Sequence, residues 1–161
     1  MRDYEYDRQK AVDYALRWAM GRNPAYYDFE KIGGDCTNFA SQCIYAGSGV
    51  MNWTPVEGWY YSSASSRSAS WTGVEFLYSF LIKNLGRGPY ARTVEAEDIQ
   101  PGDIVQLSFG SGEAFTHSPV VLSVRNGEIL VAAHTFDTVW RPLSNYTYDR
   151  VRYLHIEAVR K

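Results

Sequence analysis

The chain has 161 residues and a formal net charge of −2, because 16 Lys and Arg residues stand against 18 Asp and Glu residues. With 45% apolar and 16% aromatic residues, it has the material for a single domain over residues 1–161 with a sizeable core. The balanced charge argues against a nucleic-acid partner, and no run reaches the roughly 20 apolar residues needed to cross a bilayer.

The first predicted element is a helix over residues 7–20. Apolar residues recur there at helical spacing, and Gly21 and Pro24 follow as stop signals.

A second helix is predicted to begin near Cys36 and to end near Gly47. Gly33 and Gly34 form a turn that places the Cys36 thiol on the first helical turn. Free backbone N–H groups and the positive end of the helix dipole stabilise a thiolate there, and they can hold the oxyanion of an attacked carbonyl. This placement predicts a nucleophile, whereas Cys43 is predicted to be a core thiol. The two lie about 10.5 Å apart along the helix, too far for a disulfide.

A helical wheel places Cys36 on the apolar side of this helix. Four residues fall on the opposite side: Asn38, Ser41, Gln42 and Tyr45.

Residues 48–71 are rich in Ser, Gly and aromatic residues and are predicted to form a long irregular loop. Trp53, Trp59 and Trp71 are candidate substrate-binding residues, because aromatic faces stack well on sugars and peptides.

The spacing Thr72-x-x-Glu75 is typical of a capping box and predicts a helix that continues to about Asn84. Strand composition then dominates the chain. The predicted strands cover residues 104–107, which follow the turn Pro101-Gly102-Asp103, and residues 118–124, 129–134 and 151–159. Helices followed by antiparallel strands predict an α+β fold.

His117 begins the second of these strands, and Asn126-Gly127 predicts a tight hairpin to the third. If the pairing continues without a break, His134 lies diagonal to His117, at about 7–8 Å between backbone positions. A one-residue slip or a bulge would instead present Asp137 to His117. The predicted third residue is therefore His134, with Asp137 as the alternative.

These residues predict cysteine-dependent catalysis. A thiol with its usual pKa near 8.5 is mostly protonated at neutral pH, so an imidazole must take its proton. Cys36 would attack a carbonyl, and His117 would act first as base and then as acid to the leaving amine. Asp35 is predicted to cap the helix and to be structural.

A zinc site formed by Cys36, His117 and His134 is a competing interpretation. No Cys-x-x-Cys or His-x-x-x-His spacing supports it, so neither a metal nor a cofactor is predicted.

Four segments in this order resemble the bacterial putative amidase domains, which belong to the papain-like group with the NlpC-type and CHAP-type cell-wall hydrolases. The segments are GDCTNFASQ at 34–42, PGD at 101–103, THS at 116–118 and AHTFD at 133–137. The resemblance runs from the first helix to about Leu143. It implies a papain-like fold, with N-terminal helices packed on an antiparallel sheet or half-barrel.

The resemblance also implies an amidase or peptidase that acts on amide bonds, including those of bacterial peptidoglycan, through Cys36, His117 and a polar third residue. In related enzymes the third residue lies on the strand after the histidine strand, which matches His134 and allows Asp137. A secreted or cell-envelope location is implied too, although residues 1–5 lack the apolar core of a signal peptide.

Two other functions fit the same residues. One is an inactive cell-wall or carbohydrate-binding module that uses the aromatic loop. The other is acyl transfer to an amine, as in a transglutaminase.

Overall fold

A computed structural model describes residues 1–110, 112 and 114–161 and has an α+β fold, in which several helices accompany a curled antiparallel half-barrel sheet. The helices are α1 (Arg8–Trp18), α2 (Cys36–Ser48), α3 (Ala69–Thr72) and α4 (Val74–Lys83). The strands are β1 (Asp3–Tyr4), β2 (Tyr61–Ser63), β3 (Ser66–Arg67), β4 (Gly88–Val94), β5 (Ile104–Ser108), β6 (Val120–Arg125), β7 (Glu128–Ala133), β8 (Thr138–Pro142) and β9 (Arg150–Arg160). The predicted α+β class is confirmed.

The main sheet has seven strands in the order β1-β9-β5-β6-β7-β8, and β4 also pairs with β9. Every pair is antiparallel. Strands β2 and β3 form a separate hairpin. In the part of the chain that the structure describes, no helix is long and apolar enough to cross a membrane.

Helices α1 and α2 occur where the sequence predicts them. The Asp7 side chain caps α1 by accepting a hydrogen bond of 3.0 Å from the Lys10 N–H. Helix α2 begins at Cys36 and ends before Gly49, which has a φ of 71°. A left-handed residue at this position is the usual way to end a helix, and glycine adopts it without strain.

The predictions for residues 48–75 were wrong in two respects. The segment is not irregular throughout, since it contains β2, β3 and α3. Thr72 does not cap a helix: it ends α3, and its hydroxyl accepts a hydrogen bond of 3.1 Å from Arg67. Gly73 separates α3 from α4 and lies so close to α3 that an added Cβ would stand 3.0 Å from the Ala69 carbonyl oxygen.

The wheel also misjudged the polar side of α2, because Asn38, Ser41 and Gln42 are all buried. Trp59 and Trp71, which are both fully buried, cover this side. The Trp71 indole N–H donates to Asn38 at 2.9 Å, and the Trp59 indole N–H donates to Ser41 at 3.1 Å. A polar helix face can therefore be buried, because the covering rings satisfy its hydrogen bonds.

The Asn126-Gly127 turn forms as predicted, with positive φ values of 50° and 78°. From this turn the β6–β7 pairing follows the predicted register as far as Ser123, which opposes Leu130.

A bulge between Val121 and Ser123 then shifts the register by one residue, so that Val121 opposes Val131 and Val120 opposes Ala132. Such a shift exchanges the two faces of a strand. The uninterrupted pairing that placed His134 diagonal to His117 was therefore wrong.

Asp103 of the predicted Pro-Gly-Asp turn is fully buried and connects three parts of the fold. Its carboxylate accepts hydrogen bonds from the Gln100 and Ile156 N–H groups, both at 2.9 Å. It also lies 2.7 Å from Arg8 and 2.8 Å from His155. The turn thereby anchors α1 and β9 to the start of β5.

Replacing Asp103 with Asn is expected to lower the free energy of unfolding by about 3–5 kcal/mol, because Arg8 and His155 lose the buried carboxylate that they contact. Urea denaturation measures the change. The matched control is Asp98→Asn at a nearby exposed position, where a change within about 0.5 kcal/mol is expected. Equal stability of the two variants would contradict the anchoring role.

Candidate active site

Cys36 is the first residue of α2, and its side chain is 8% exposed. Gly33 and Gly34 lead into it with φ values of 87° and 94°, which only glycine adopts without strain. A Cβ on Gly34 would also stand 3.0 Å from the Thr135 hydroxyl. The glycine turn therefore lets the backbone pass close to Thr135 and places the thiol at the helix start.

The thiol lies against the backbone next to His117. The sulfur is 3.8 Å from the Thr116 carbonyl oxygen and 3.7 Å from the Thr37 hydroxyl. The hydroxyl of Thr37, the next residue of α2, lies 3.3 Å from the hydroxyl of Ser118, the residue after His117. The first turn of α2 is thus packed directly on the segment that carries His117.

Burial raises the pKa of the Cys36 thiol above its usual value, although hydrogen bonds from Thr37 and Ser118 counteract part of the effect. The predicted stabilisation of a thiolate at the helix start is therefore outweighed by burial. Cys36 rests as a thiol and needs a base.

The His117 ring is 7% exposed and lies beside Tyr146 and Phe109, with ring centroids 5.6 and 6.5 Å away. Burial, and after it the charge of Arg141, lowers the pKa of His117 to about 4. The imidazole is therefore neutral at pH 7 and retains a lone pair that can accept a proton.

Among the described residues, no side chain forms a hydrogen bond with the His117 ring. The Cys36 thiol thus contacts the segment that carries His117, but the thiol and the imidazole are not hydrogen-bonded to each other. Catalytic hydrogen bonds are often loose without substrate.

The depressed pKa of His117 predicts a loss of stability in acid. The usual pKa is 6.5, so between pH 6.5 and about 4 the unfolded chain binds a proton that the folded chain excludes. Stability should fall as the pH drops through this window, by about 3 kcal/mol in total. Urea denaturation of the wild type and of His117→Asn at several pH values isolates this contribution, since both proteins share all carboxylates. Parallel losses in the two proteins would contradict it.

His134 is 1% exposed and stacks on Phe39 of α2, with ring centroids 4.1 Å apart. Its Nδ1 lies 2.5 Å from the Asp35 carboxylate, and its Nε2 lies 2.8 Å from the Trp18 carbonyl oxygen. Both partners can accept hydrogen bonds, and each ring nitrogen faces one of them. No ring nitrogen is left for His117.

Asp35 does not form the predicted helix cap. One carboxylate oxygen accepts hydrogen bonds from the Phe29 N–H and from the Asn38 side chain, both at 2.9 Å, and the other faces His134. Asp35 directly precedes the nucleophile, and it therefore connects the start of α2 to His134, the residue after β7.

Asp137 is held by Arg22 through two hydrogen bonds of 2.8 and 3.1 Å. The same guanidinium also lies near Asp28, Glu30 and Asp35, at 3.1, 3.3 and 3.6 Å. The structure thus joins Asp137 to Arg22 and His134 to Asp35. It gives neither of them a hydrogen bond to His117.

Trp59 and Trp71 are fully buried against α2, so their prediction as substrate-binding residues is corrected: they are core residues. Trp53 is 57% exposed and stacks on Tyr60, with ring centroids 5.1 Å apart. Of the three candidate tryptophans, only Trp53 is therefore exposed.

Three residues at or near the site were missed by sequence reasoning: Arg22, Arg141 and Tyr146. Each lies outside the four recognised segments, and no local spacing links it to Cys36. Within residues 1–110, 112 and 114–161, no group of three or more His, Cys, Asp or Glu side chains could hold a metal ion.

The sequence model of one protein family, described as the putative amidase domain, matches residues 5–156. The chain is also 35% identical, over 142 residues, to the uncharacterized protein YhbB of Bacillus subtilis (strain 168). That alignment covers 87% of this chain and 45% of YhbB, so the chain spans less than half of its relative. No solved structure matches.

Proposed function

The chain belongs to the putative amidase domain family, and on that premise we propose that it hydrolyses amide bonds with Cys36 as nucleophile and His117 as base. The contact of the Cys36 thiol with the Thr116 carbonyl oxygen, directly before His117, is the observation that carries the proposal. The neutral state of the imidazole supports it, because a buried thiol requires a base that is unprotonated at pH 7.

The reaction begins when the Cys36 sulfur attacks the amide carbonyl carbon and the thiol proton passes to His117. The carbonyl oxygen becomes an oxyanion. The C–N bond then breaks, and the His117 imidazolium gives its proton to the leaving amine, which leaves a thioester on Cys36. Finally, His117 takes a proton from water as the oxygen attacks the thioester carbon. The C–S bond then breaks to release the acid, and His117 returns the proton to the sulfur, which restores the thiol.

We assign His134 a positioning role in this mechanism. Its contacts with Asp35 and Trp18 support this assignment, since Asp35 directly precedes the nucleophile. Asp137, the alternative third residue, acts indirectly, because it binds Arg22, which in turn contacts Asp35.

We further propose that residues 1–161 form one amidase domain, related to the papain-like NlpC-type and CHAP-type hydrolases. A nucleophile at the start of a helix that packs on an antiparallel sheet supports this relationship. Peptidoglycan peptides are the substrates that we propose, on the basis of the sequence resemblance.

The test is incubation with soluble peptidoglycan fragments and with a panel of peptide amides, followed by mass spectrometry of the products. Hydrolysis yields a free acid and a free amine. A second incubation contains excess glycine methyl ester, and a product that carries this amine would assign acyl transfer instead. Binding of peptidoglycan fragments without any Cys36-dependent product would contradict the proposed hydrolysis and favour a binding module.

A further inference from the structure

Tyr146 carries a buried hydroxyl that has no hydrogen-bond partner among the described residues. Buried polar atoms in native proteins nearly always have a partner, and leaving one without costs free energy. Because it lies beside the candidate active site, this hydroxyl calls for a functional explanation.

The local structure holds the Tyr146 ring in place. The residue follows a short 3-10 turn at Leu143–Asn145, and its N–H donates to the Leu143 carbonyl oxygen at 3.1 Å. The Arg141 guanidinium lies over one face of the ring, 3.7 Å from its centroid, and His117 lies 5.6 Å from it. The guanidinium thus contacts the π face of the ring.

The hydroxyl is a proton donor at neutral pH. Burial raises the pKa of Tyr146, with Arg141 opposing the shift and a negative charge on Cys36 adding to it. The phenol therefore stays protonated, within the electrostatic reach of Cys36 and with its ring 5.6 Å from the His117 ring.

We propose that the Tyr146 hydroxyl donates a hydrogen bond to the substrate carbonyl oxygen as that oxygen becomes an oxyanion. The inference rests on the proposed function, because it requires attack by Cys36. In the step, the sulfur–carbon bond forms, the thiol proton moves to His117 and the carbonyl π electrons move onto oxygen. Tyr146 keeps its proton and stabilises the new charge, and the buried hydroxyl gains a partner only in this state.

The test compares two reactions of Cys36 in the wild type and in Tyr146→Phe. Acylation by p-nitrophenyl acetate passes through an oxyanion, whereas alkylation by iodoacetamide does not. The Phe variant should acylate about 10²-fold more slowly, the size typical of losing one oxyanion donor. Its alkylation rate should be unchanged, and its melting temperature should be equal or higher, because a buried unpaired hydroxyl is removed.

Two controls accompany this comparison. Tyr148→Phe removes a phenol hydroxyl two residues away and should leave both rates unchanged. Cys36→Ala gives the background of each reaction.

Acylation at the wild-type rate in Tyr146→Phe would overturn the inference. Equal slowing of acylation and alkylation would also overturn it, because Tyr146 would then position the thiol or His117. If wild-type acylation does not exceed that of Cys36→Ala, the proposed function fails and the inference fails with it. The Cys36→Ala control distinguishes this case from a failure of the Tyr146 inference alone.

Discussion

Replacing Cys36 with Ala is expected to lower amide hydrolysis by a factor of about 10⁴–10⁶, the usual effect of removing a catalytic nucleophile. Without the sulfur no thioester can form, and neutral His117 has no thiol proton to accept. The free energy of unfolding should change by only about 1 kcal/mol, because the side chain is small and already lacks a strong partner. The measurements are product formation at fixed enzyme concentration and urea denaturation.

Cys43 provides the matched control, since it lies seven residues further along the same helix and is fully buried. Cys43→Ala removes the same atom from a closed part of the core, so it should cost at least as much stability and leave hydrolysis intact. Turnover that persists in Cys36→Ala, or that disappears equally in both variants, would refute the assignment of Cys36 as the nucleophile.

Replacing His134 with Ala is expected to destabilise the protein by about 3–5 kcal/mol, because it leaves the buried Asp35 carboxylate without its closest partner. The Asp35 carboxylate would stay buried, with the Arg22 guanidinium 3.6 Å away. The cavity left beside Phe39 adds to the loss. Urea denaturation measures the change in the free energy of unfolding.

The same variant separates a positioning role from a catalytic one. Both His134 nitrogens are bonded away from His117, so in the folded fraction at low temperature iodoacetamide should alkylate Cys36 within a few-fold of the wild-type rate. His155→Ala is the control, because His155 pairs with the buried Asp103 outside the site. A variant of His134 that keeps its stability but loses nearly all turnover would restore His134 as the third catalytic residue.

The start of α2 shows how much of the candidate site local sequence can predict. The glycines at 33 and 34 permit backbone conformations that other residues resist, and the helix begins at Cys36 as predicted. The Asn126-Gly127 turn is a second example, because its two positive φ values suit those residue types. Both features depend on the steric preferences of a few adjacent residues.

The partners of the histidines could not be predicted in the same way. They depend on one extra residue in β6, the bulge between Val121 and Ser123, which exchanges the faces of the strand beyond it. They also depend on Asp35, which lies 99 positions from His134 in sequence. No local pattern encodes either feature.

The covered face of α2 shows a related limit. Asn38 and Ser41 have the polarity of a solvent-exposed side, and the wheel placed them there. Trp59 and Trp71 bury this side because their indole N–H groups supply the hydrogen bonds that water would otherwise make. The periodicity of the sequence shows which face of a helix is polar. Whether that face is buried depends on whether residues from distant parts of the chain satisfy its hydrogen bonds.

The sequence by itself therefore determined the α+β class, the position of Cys36 at a helix start and the choice of His117 as its proposed base, because each follows from local backbone preferences or from a recognisable motif. Only the tertiary structure decided that burial lowers the pKa of His117, that His134 contacts Asp35, and that Tyr146 brings an unpaired hydroxyl to the site. These properties arise from burial and from charges that segments far apart in the chain bring together, and such contacts exist only after the chain has folded.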